Sequence, residues 1–341
     1  MKPYLHPQPV NDAFGDPAVY VDFLFEKRAL LLDLGDIQAL PPRKVLRISH
    51  VFVSHTHMDH FIGFDRIVRL CLGRERQLEM FGPPGFIDQV QHKLAAYTWN
   101  LVQNYETDFT IVATEWHPHG ATQTARFRCQ ECFRRERCPP AAIEDGILLD
   151  EDTFRVRAVA LDHRIPCLAF AIEEKQHINV WKNRLDELGL PTGPWLQDLK
   201  AAVRRGDADD TPFRVWWSER GETRERHLPL GLLRDKALRL APGQKIAYVV
   251  DAVYHADNAR RIIDLTRDAD VLFCETVFLD EDADRAAKTY HLTATQAGRL
   301  AREAAVKHLV PMHFSARYSD REEALHYEAQ AAFTGTVANP D

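Results

Sequence analysis

Ser54-His55-Thr56-His57-Met58-Asp59-His60 sets three imidazoles and a carboxylate within a few positions, directly behind the apolar run Val51-Phe52-Val53. Neutral imidazole and carboxylate are ligands for zinc-like cations, and a strand-to-helix turn can aim alternate side chains at one point. A lone buried histidine is usually a satisfied core residue, but three with an aspartate in H-x-H-x-D-H order point to a metal. A catalytic zinc takes three or four protein ligands and keeps one position for water, so further ligands must come from elsewhere in the chain. The candidates stand just past apolar strand-like runs: His163 after 156–161, Asp251 after 246–250 and His313 after 309–311. Loops at strand ends are where such groups converge.

The elements that must position these residues alternate between strand and helix. Periodicity predicts strands over 20–25 and 29–34 as an opening hairpin, a strand ending at Val53, a helix over 61–72, a strand over 77–81 and a helix over 86–101. Strands follow over 109–112 and 153–161, separated by a polar, arginine-rich stretch, 115–150, read as an insertion that holds Cys129, Cys132 and Cys138. A charged segment, 176–235, reads as an inserted arm. Beyond it come a strand over 244–250, a helix over 258–266, a strand over 271–278, a helix over 293–307, a strand over 308–312 and a helix over 320–333. No internal repeat is visible. The pattern predicts one α/β domain over 1–341, a sandwich with the two insertions.

With 341 residues, 45% of them hydrophobic, the chain can bury a large core, and its formal charge of −7 argues against an overall nucleic-acid coat. No apolar run approaches a membrane span and Met1-Lys2-Pro3-Tyr4 is not an apolar leader, so a cytoplasmic protein without membrane contact is expected. Six cysteines in this length do not suggest a secreted disulfide framework. Cys129, Cys132 and Cys138 are instead read as candidate ligands of a structural zinc, with His117, His119, Cys71 or Cys167 as fourth donor.

These residues resemble the metallo-β-lactamase superfamily, and within it the ribonuclease Z branch. His55, His57, Asp59 and His60 match the superfamily's first motif, and His163, Asp251 and His313 look like its later ligands. Cys274-Glu275-Thr276-Val277-Phe278, Tyr290-His291-Leu292-Thr293-Ala294 and Met312-His313-Phe314-Ser315-Ala316-Arg317-Tyr318 resemble ribonuclease Z segments. In the arm, Leu188-Gly189-Leu190-Pro191-Thr192-Gly193-Pro194 is similar to the exosite sequence that grips precursor tRNA in that branch. The branch's glycine-rich opening and following basic loop are absent, and Phe14-Gly15-Asp16-Pro17 stands there instead.

The resemblance implies an αββα sandwich, two mixed β-sheets flanked by helices, and a dinuclear zinc phosphodiesterase, with Mn2+ or Fe2+ as alternative metals. One metal would take His55, His57 and His163, the other Asp59, His60 and His313, with Asp251 between them; Asp59 would also orient the attacking water. His291 is the expected general acid and Glu275 the carboxylate that sets its tautomer. Gly193, Pro194, Ser315 and Arg317 are the expected substrate contacts. The expected substrate is precursor tRNA or another RNA cut near a 3′ end, and the expected assembly a homodimer. Lys200, Arg204, Arg205, Arg214, Arg220, Arg224, Arg226, Arg234, Lys236 and Arg239, with Trp216 and Trp217, would give the arm an RNA-binding surface. The competing readings are a phosphodiesterase for small substrates such as cyclic nucleotides, a thioester or lactam hydrolase, a di-iron redox protein and a non-catalytic RNA-binding module.

Overall fold

Phe154, Val156, Ala158 and Ala160 are buried while Arg155, Arg157 and Val159 between them are half-buried, the alternation a strand makes when one face meets a core. The computed structural model describes residues 3–24, 26–118, 122–139, 143–219 and 221–336. Its first strands are β1 (Leu5–Pro9), β2 (Val19–Phe23), β3 (Ala29–Leu32), β4 (Ile48–Phe52), β5 (Arg76–Gly82), β6 (Phe109–Trp116), β7 (Thr122–Arg128) and β8 (Arg135–Cys138), which lie in chain order in one sheet. The remaining strands are β9 (Ile147–Asp150), β10 (Phe154–Asp162), β11 (Pro166–Glu174), β12 (His177–Val180), β13 (Pro212–Glu219), β14 (Glu222–Pro229), β15 (Leu238–Ala241), β16 (Lys245–Val249), β17 (Val271–Glu275) and β18 (Leu309–Met312). Six of these form a second sheet in the order β18-β17-β16-β11-β10-β9.

Both sheets carry a parallel block. β3 to β6 run parallel, with antiparallel partners outside them, and β16, β17 and β18 are parallel to one another. Ligand sites in parallel sheets gather beyond the carboxyl ends of the strands, which is where this chain places its histidines. Helices Phe64–Cys71 and Phe86–Ala95 bury Phe64, Ile67, Val68, Phe86 and Val90 in the core of the first sheet. Helices Ala256–Thr266 and Ala294–Glu303 do the same for the second through Ile262, Leu265, Ala297 and Leu300. Between the sheets, the Phe52 ring packs on Phe81 and Phe170 at centroid distances of 5.1 and 5.8 Å. The expected sandwich of mixed sheets flanked by helices is the observed fold.

Several predicted elements differ in extent. The helix expected over 61–72 is two, Met58–Phe61 and Phe64–Cys71, with Gly63 between them: a Cβ there would lie 2.3 Å from the Gly35 carbonyl oxygen. The helix expected over 86–101 stops at Ala95, and Trp99 folds back to donate to the Leu94 carbonyl at 2.8 Å. Of the stretch 115–150, the described residues supply the end of β6 and all of β7, β8 and β9, so much of its polar sequence is sheet.

The chain divides into two compact units, the larger built from 3–149, 156–172 and 245–336 and the smaller from 150–155 and 173–244. The smaller contains the predicted arm and has its own core, in which Leu185, Trp195, Leu199, Val215 and Leu233 are fully buried. Its strands pair β12 with β15 and β13 with β14. Among the described residues no helix is long and apolar enough to cross a membrane.

Candidate metal centre

Asp251 is the hub, buried two residues beyond β16. Its Oδ2 lies 3.4 Å from His55 Nε2 and 3.2 Å from His163 Nε2. Its Oδ1 lies 3.5 Å from His60 Nε2 and 3.0 Å from His313 Nδ1. Each carboxylate oxygen therefore faces a different group of imidazoles. His57 joins the first, its ring 4.3 Å from that of His55 and 5.2 Å from that of His163. Asp59 joins the second, its Oδ2 3.4 Å from both His60 Nε2 and His313 Nε2. The ligand atoms of His55, His57, His163 and Asp251 all lie within 4.8 Å of one another, as do those of Asp59, His60 and His313.

Local backbone explains how distant segments reach one point. β4 ends at Phe52, and the following turn leads into the helix Met58–Phe61, placing His55, His57, Asp59 and His60 on one short path. Asp251 and His313 have φ of 50° and 58°, left-handed values that L-residues rarely adopt, and each sits where the chain turns off a strand end. His163 opens the three-residue turn between β10 and β11, its N–H bonded to the Ile165 carbonyl at 3.1 Å.

The outer nitrogens of three rings are fixed by partners that dictate the tautomer. His163 Nδ1 lies 2.7 Å from the Tyr290 carbonyl, which can only accept, so Nδ1 carries the proton and Nε2 a lone pair. His60 Nδ1 lies 2.7 Å from Asp33 Oδ2 and is set the same way. His291 Nδ1 lies 2.7 Å from Glu275 Oε2, while Glu275 Oε1 accepts from the Ala252 and Leu292 N–H groups at 2.8 and 3.2 Å. Thr293 then starts the helix Ala294–Glu303 with a capping box to Gln296, which anchors the chain just after His291.

Asp33 was not among the candidate ligands and fell inside the strand predicted over 29–34. It is fully buried, and its oxygens accept from Ser54 N–H at 2.6 Å, Ser54 Oγ at 2.7 Å and Tyr248 Oη at 2.8 Å besides holding His60. The available signal was its place at a strand end, two residues before a glycine.

Protonation separates the two groups. Burial and the neighbouring His60 push His55 down to about 2. Burial also opposes charge on His313, but Asp251 and Asp59 hold it up at about 9, and Asp251 with Asp33 holds His60 well above its ordinary value. Burial would raise Asp251, yet His60 and His313 keep it well below the usual carboxylate range. Burial likewise lowers His291, but Glu275 by charge and hydrogen bond, and Asp251, keep it above the ordinary value.

Whether these residues suit a metal is tested by their unused atoms. His55 Nε2, His60 Nε2, Asp251 Oδ1 and His313 Nδ1 are buried and make no well-directed hydrogen bond among the described residues. Buried polar atoms are rarely left so, and four converging on one point are a donor set for divalent cations. The residues fit the group.

The other predicted residues lie elsewhere or do local work. Ser315 accepts from the Arg317 N–H at 3.4 Å and starts the short helix Ala316–Tyr318; Arg317 is exposed and has no ion pair among the described residues. Gly193 and Pro194 belong to the smaller unit, where Pro194 precedes the helix Trp195–Arg205 and Gly193 packs against the Trp195 ring. The structural zinc predicted at Cys129, Cys132 and Cys138 is not assembled among the described residues. Cys129 lies in the apolar core of the first sheet, Cys132 Sγ bonds to the Trp99 carbonyl at 3.4 Å, and Cys138 stands opposite Thr124 across the β7–β8 pair. Of the proposed fourth donors, Cys71 is in the same core, His117 pairs with Glu115, Cys167 lies against His55, and His119 falls outside the described residues.

The fold and the cluster define a class. The structure superposes on the metallo-β-lactamase-fold protein YhfI of Bacillus subtilis with a TM-score of 0.56 at 14% identity, covering 98% of this chain and 94% of that one. It superposes on the short form of human tRNase Z with a TM-score of 0.51 at 18% identity, covering 92% and 93%. This is a protein of the metallo-β-lactamase fold. No family model matches the chain, but its sequence is 33% identical over 309 residues to the ribonuclease Z of Deinococcus radiodurans, covering 89% of this chain and 88% of the relative. The ribonuclease Z of Bacteroides thetaiotaomicron is 29% identical over 318 residues, covering 91% and 84%. The chain belongs to the ribonuclease Z family.

Proposed function

We propose that this chain is a metal-dependent endoribonuclease of the ribonuclease Z type that cuts precursor tRNA near its 3′ end. The observation that carries the reading is the 33% identity to a ribonuclease Z over 89% of the chain, joined to a His/Asp cluster with the atoms to hold divalent cations. His55, His57, His163 and Asp251 would hold one ion and Asp59, His60, His313 and Asp251 the other. Bound there, the ions would supply Lewis acidity toward the phosphoryl oxygens and a hydroxide nucleophile at neutral pH.

The chain's own residues supply the rest. Asp59, half-buried with Oδ2 3.4 Å from both His60 Nε2 and His313 Nε2, orients the attacking water. His291, its Nδ1 held by Glu275, presents Nε2 as the donor to the leaving ribose oxygen, and the Glu275 carboxylate favours the charged form of the ring. Arg317 is an exposed guanidinium free to contact a phosphate oxygen.

The arm supports an RNA substrate in a specific way. Residues 176–235 hold ten Lys and Arg against ten Asp and Glu, so the segment is not a basic face overall. Arg205, Arg214 and Arg234 are paired with Asp207, Glu225 and Asp209, Arg220 lies outside the described residues, and Trp216 and Trp217 are half-buried on the arm's core. RNA contact is therefore assigned to the Gly193-Pro194 loop and to arginines that exchange an exposed carboxylate for a phosphate. Exposed ion pairs are worth only about 0–1 kcal/mol, so that exchange is cheap. The same reading takes the ions as two zinc, the assembly as a homodimer and the location as the cytoplasm, on the strength of the family resemblance.

The test compares a precursor tRNA transcript with bis(p-nitrophenyl) phosphate. His291→Ala should slow the RNA reaction by about 100-fold or more and the activated ester far less, because a nitrophenolate leaves without protonation. Removing residues 176–235 should abolish RNA cleavage and spare the small ester; equal loss of both would leave the arm no substrate role.

A further inference from the structure

One buried thiol touches the cluster without belonging to it. Cys167, in β11, is fully buried, with Sγ 3.7 Å from His55 Nδ1 and 3.3 Å from the Val250 carbonyl oxygen. The Ser54 hydroxyl lies 3.1 Å from the same ring nitrogen and 2.7 Å from Asp33 Oδ2. A thiol and a hydroxyl each carry one proton, and neither a carbonyl nor a carboxylate oxygen has one to give. The Cys167 S–H therefore donates to Val250 and the Ser54 O–H to Asp33. Both atoms then face His55 with lone pairs alone, which leaves Nδ1 as the proton carrier and Nε2 with its lone pair toward Asp251.

We propose that Cys167 is a positioning residue for His55. Its sulfur, with the Ser54 hydroxyl, holds the ring in the Nδ1–H tautomer and fixes the direction of Nε2, while its S–H ties the ring to the backbone one residue before Asp251. His60 and His163 are steered by strong acceptors, a carboxylate and a carbonyl; His55 relies on two weak ones, so each matters. The role rests on the metal centre proposed above and concerns how its first ion is held.

The experiment is a Co2+ titration of the full-length protein after chelator treatment, against a competing dye, for wild type, Cys167→Ser, Cys167→Ala and Cys167→Val. Removing an outer partner of a metal-binding histidine typically costs about 10–100-fold in affinity. Cys167→Val, which fills the space without an acceptor, and Cys167→Ala should weaken the tighter Co2+ by about tenfold or more and shift its visible absorption. Cys167→Ser, which keeps a donor and an acceptor, should stay within about threefold of wild type. Wild-type affinity in both Ala and Val variants overturns the proposal, as does equal loss in Ser, Ala and Val, which would make the effect one of volume. If Cys167→Val does not fold, the Ala and Ser pair decides alone, by the same two outcomes. A wild type that binds no Co2+ would overturn the metal centre itself, and this role with it.

Discussion

His55 and His313 reach the same carboxylate from opposite sides, at 3.4 and 3.0 Å, yet their protons behave in opposite ways. On the Oδ2 side, burial among other imidazoles leaves His55 at about 2 and His57 below its ordinary value. On the Oδ1 side, Asp251, Asp59 and Asp33 outweigh burial and hold protons on His313 and His60. The first group is thus a set of lone pairs ready to bind. The second is a set of close ion pairs that an incoming cation must displace, releasing protons as it does. One aspartate serves both, so the asymmetry comes from burial against other imidazoles on one side and from the added carboxylates of Asp59 and Asp33 on the other.

Asp251→Ala should break the comparison most completely, because it removes the oxygen each half faces. Metal analysis should find neither ion retained after dialysis, and cleavage should fall by well over about 100-fold, the upper range for merely losing an outer partner. One ion retained at full strength would mean the halves do not share the carboxylate. Asp33→Asn acts on one half directly and on the other only through Ser54. The carboxamide keeps the shape but not the charge behind His60, and the weaker-binding ion should lose about 10–100-fold in affinity while the other loses clearly less. Equal weakening of both would show that Asp33 acts by holding the fold.

The same asymmetry separates what was legible in the sequence from what was not. His55, His57, Asp59 and His60 are neighbours in the chain, so their convergence could be read from spacing alone. His163, Asp251 and His313 were readable because apolar strands announce their own ends, and parallel strands bring those ends together. Asp33 was not, since its part depends on Tyr248, 215 positions later, and on Ser54 folding over it. The cysteines misled for the converse reason. Cys129, Cys132 and Cys138 are close in sequence, but the β7–β8 pairing carries Cys138 away while the core takes Cys129. The long helix expected over 61–72 failed at Gly63, where apolar periodicity continues and only the approach of Gly35 shows the break.

Proton release predicts a pH effect on the second ion alone. Each proton displaced from a group titrating near 9 costs about tenfold in apparent affinity per pH unit below that value. Isothermal titration between pH 7 and 8 should therefore show the weaker ion gaining at least about tenfold and the tighter one nearly constant. Parallel gains for both ions would erase the distinction between the halves.

The smallest effect is on stability after metal removal, and here the two histidines pull in opposite directions from a shared reference of 6.5. His313 is raised to about 9, so its contribution is complete below pH 6.5 and is lost as pH climbs toward 9. His55 is lowered to about 2, so the fold takes up a proton less readily than the unfolded chain does, and stability is lost as pH drops below 6.5. Asp59 and Asp251, both depressed, add to the acid loss only as pH falls through the ordinary carboxylate range. Chelated protein should accordingly be most stable near pH 6.5, with Tm falling by about 3 °C or more toward pH 9. His313→Gln should lessen the alkaline loss, the rest of which belongs to His60 and His291, and leave the slope just below pH 6.5, which belongs to His55, as it was. If instead the variant flattens both sides, the two trios titrate as one unit and the division at Asp251 does not hold.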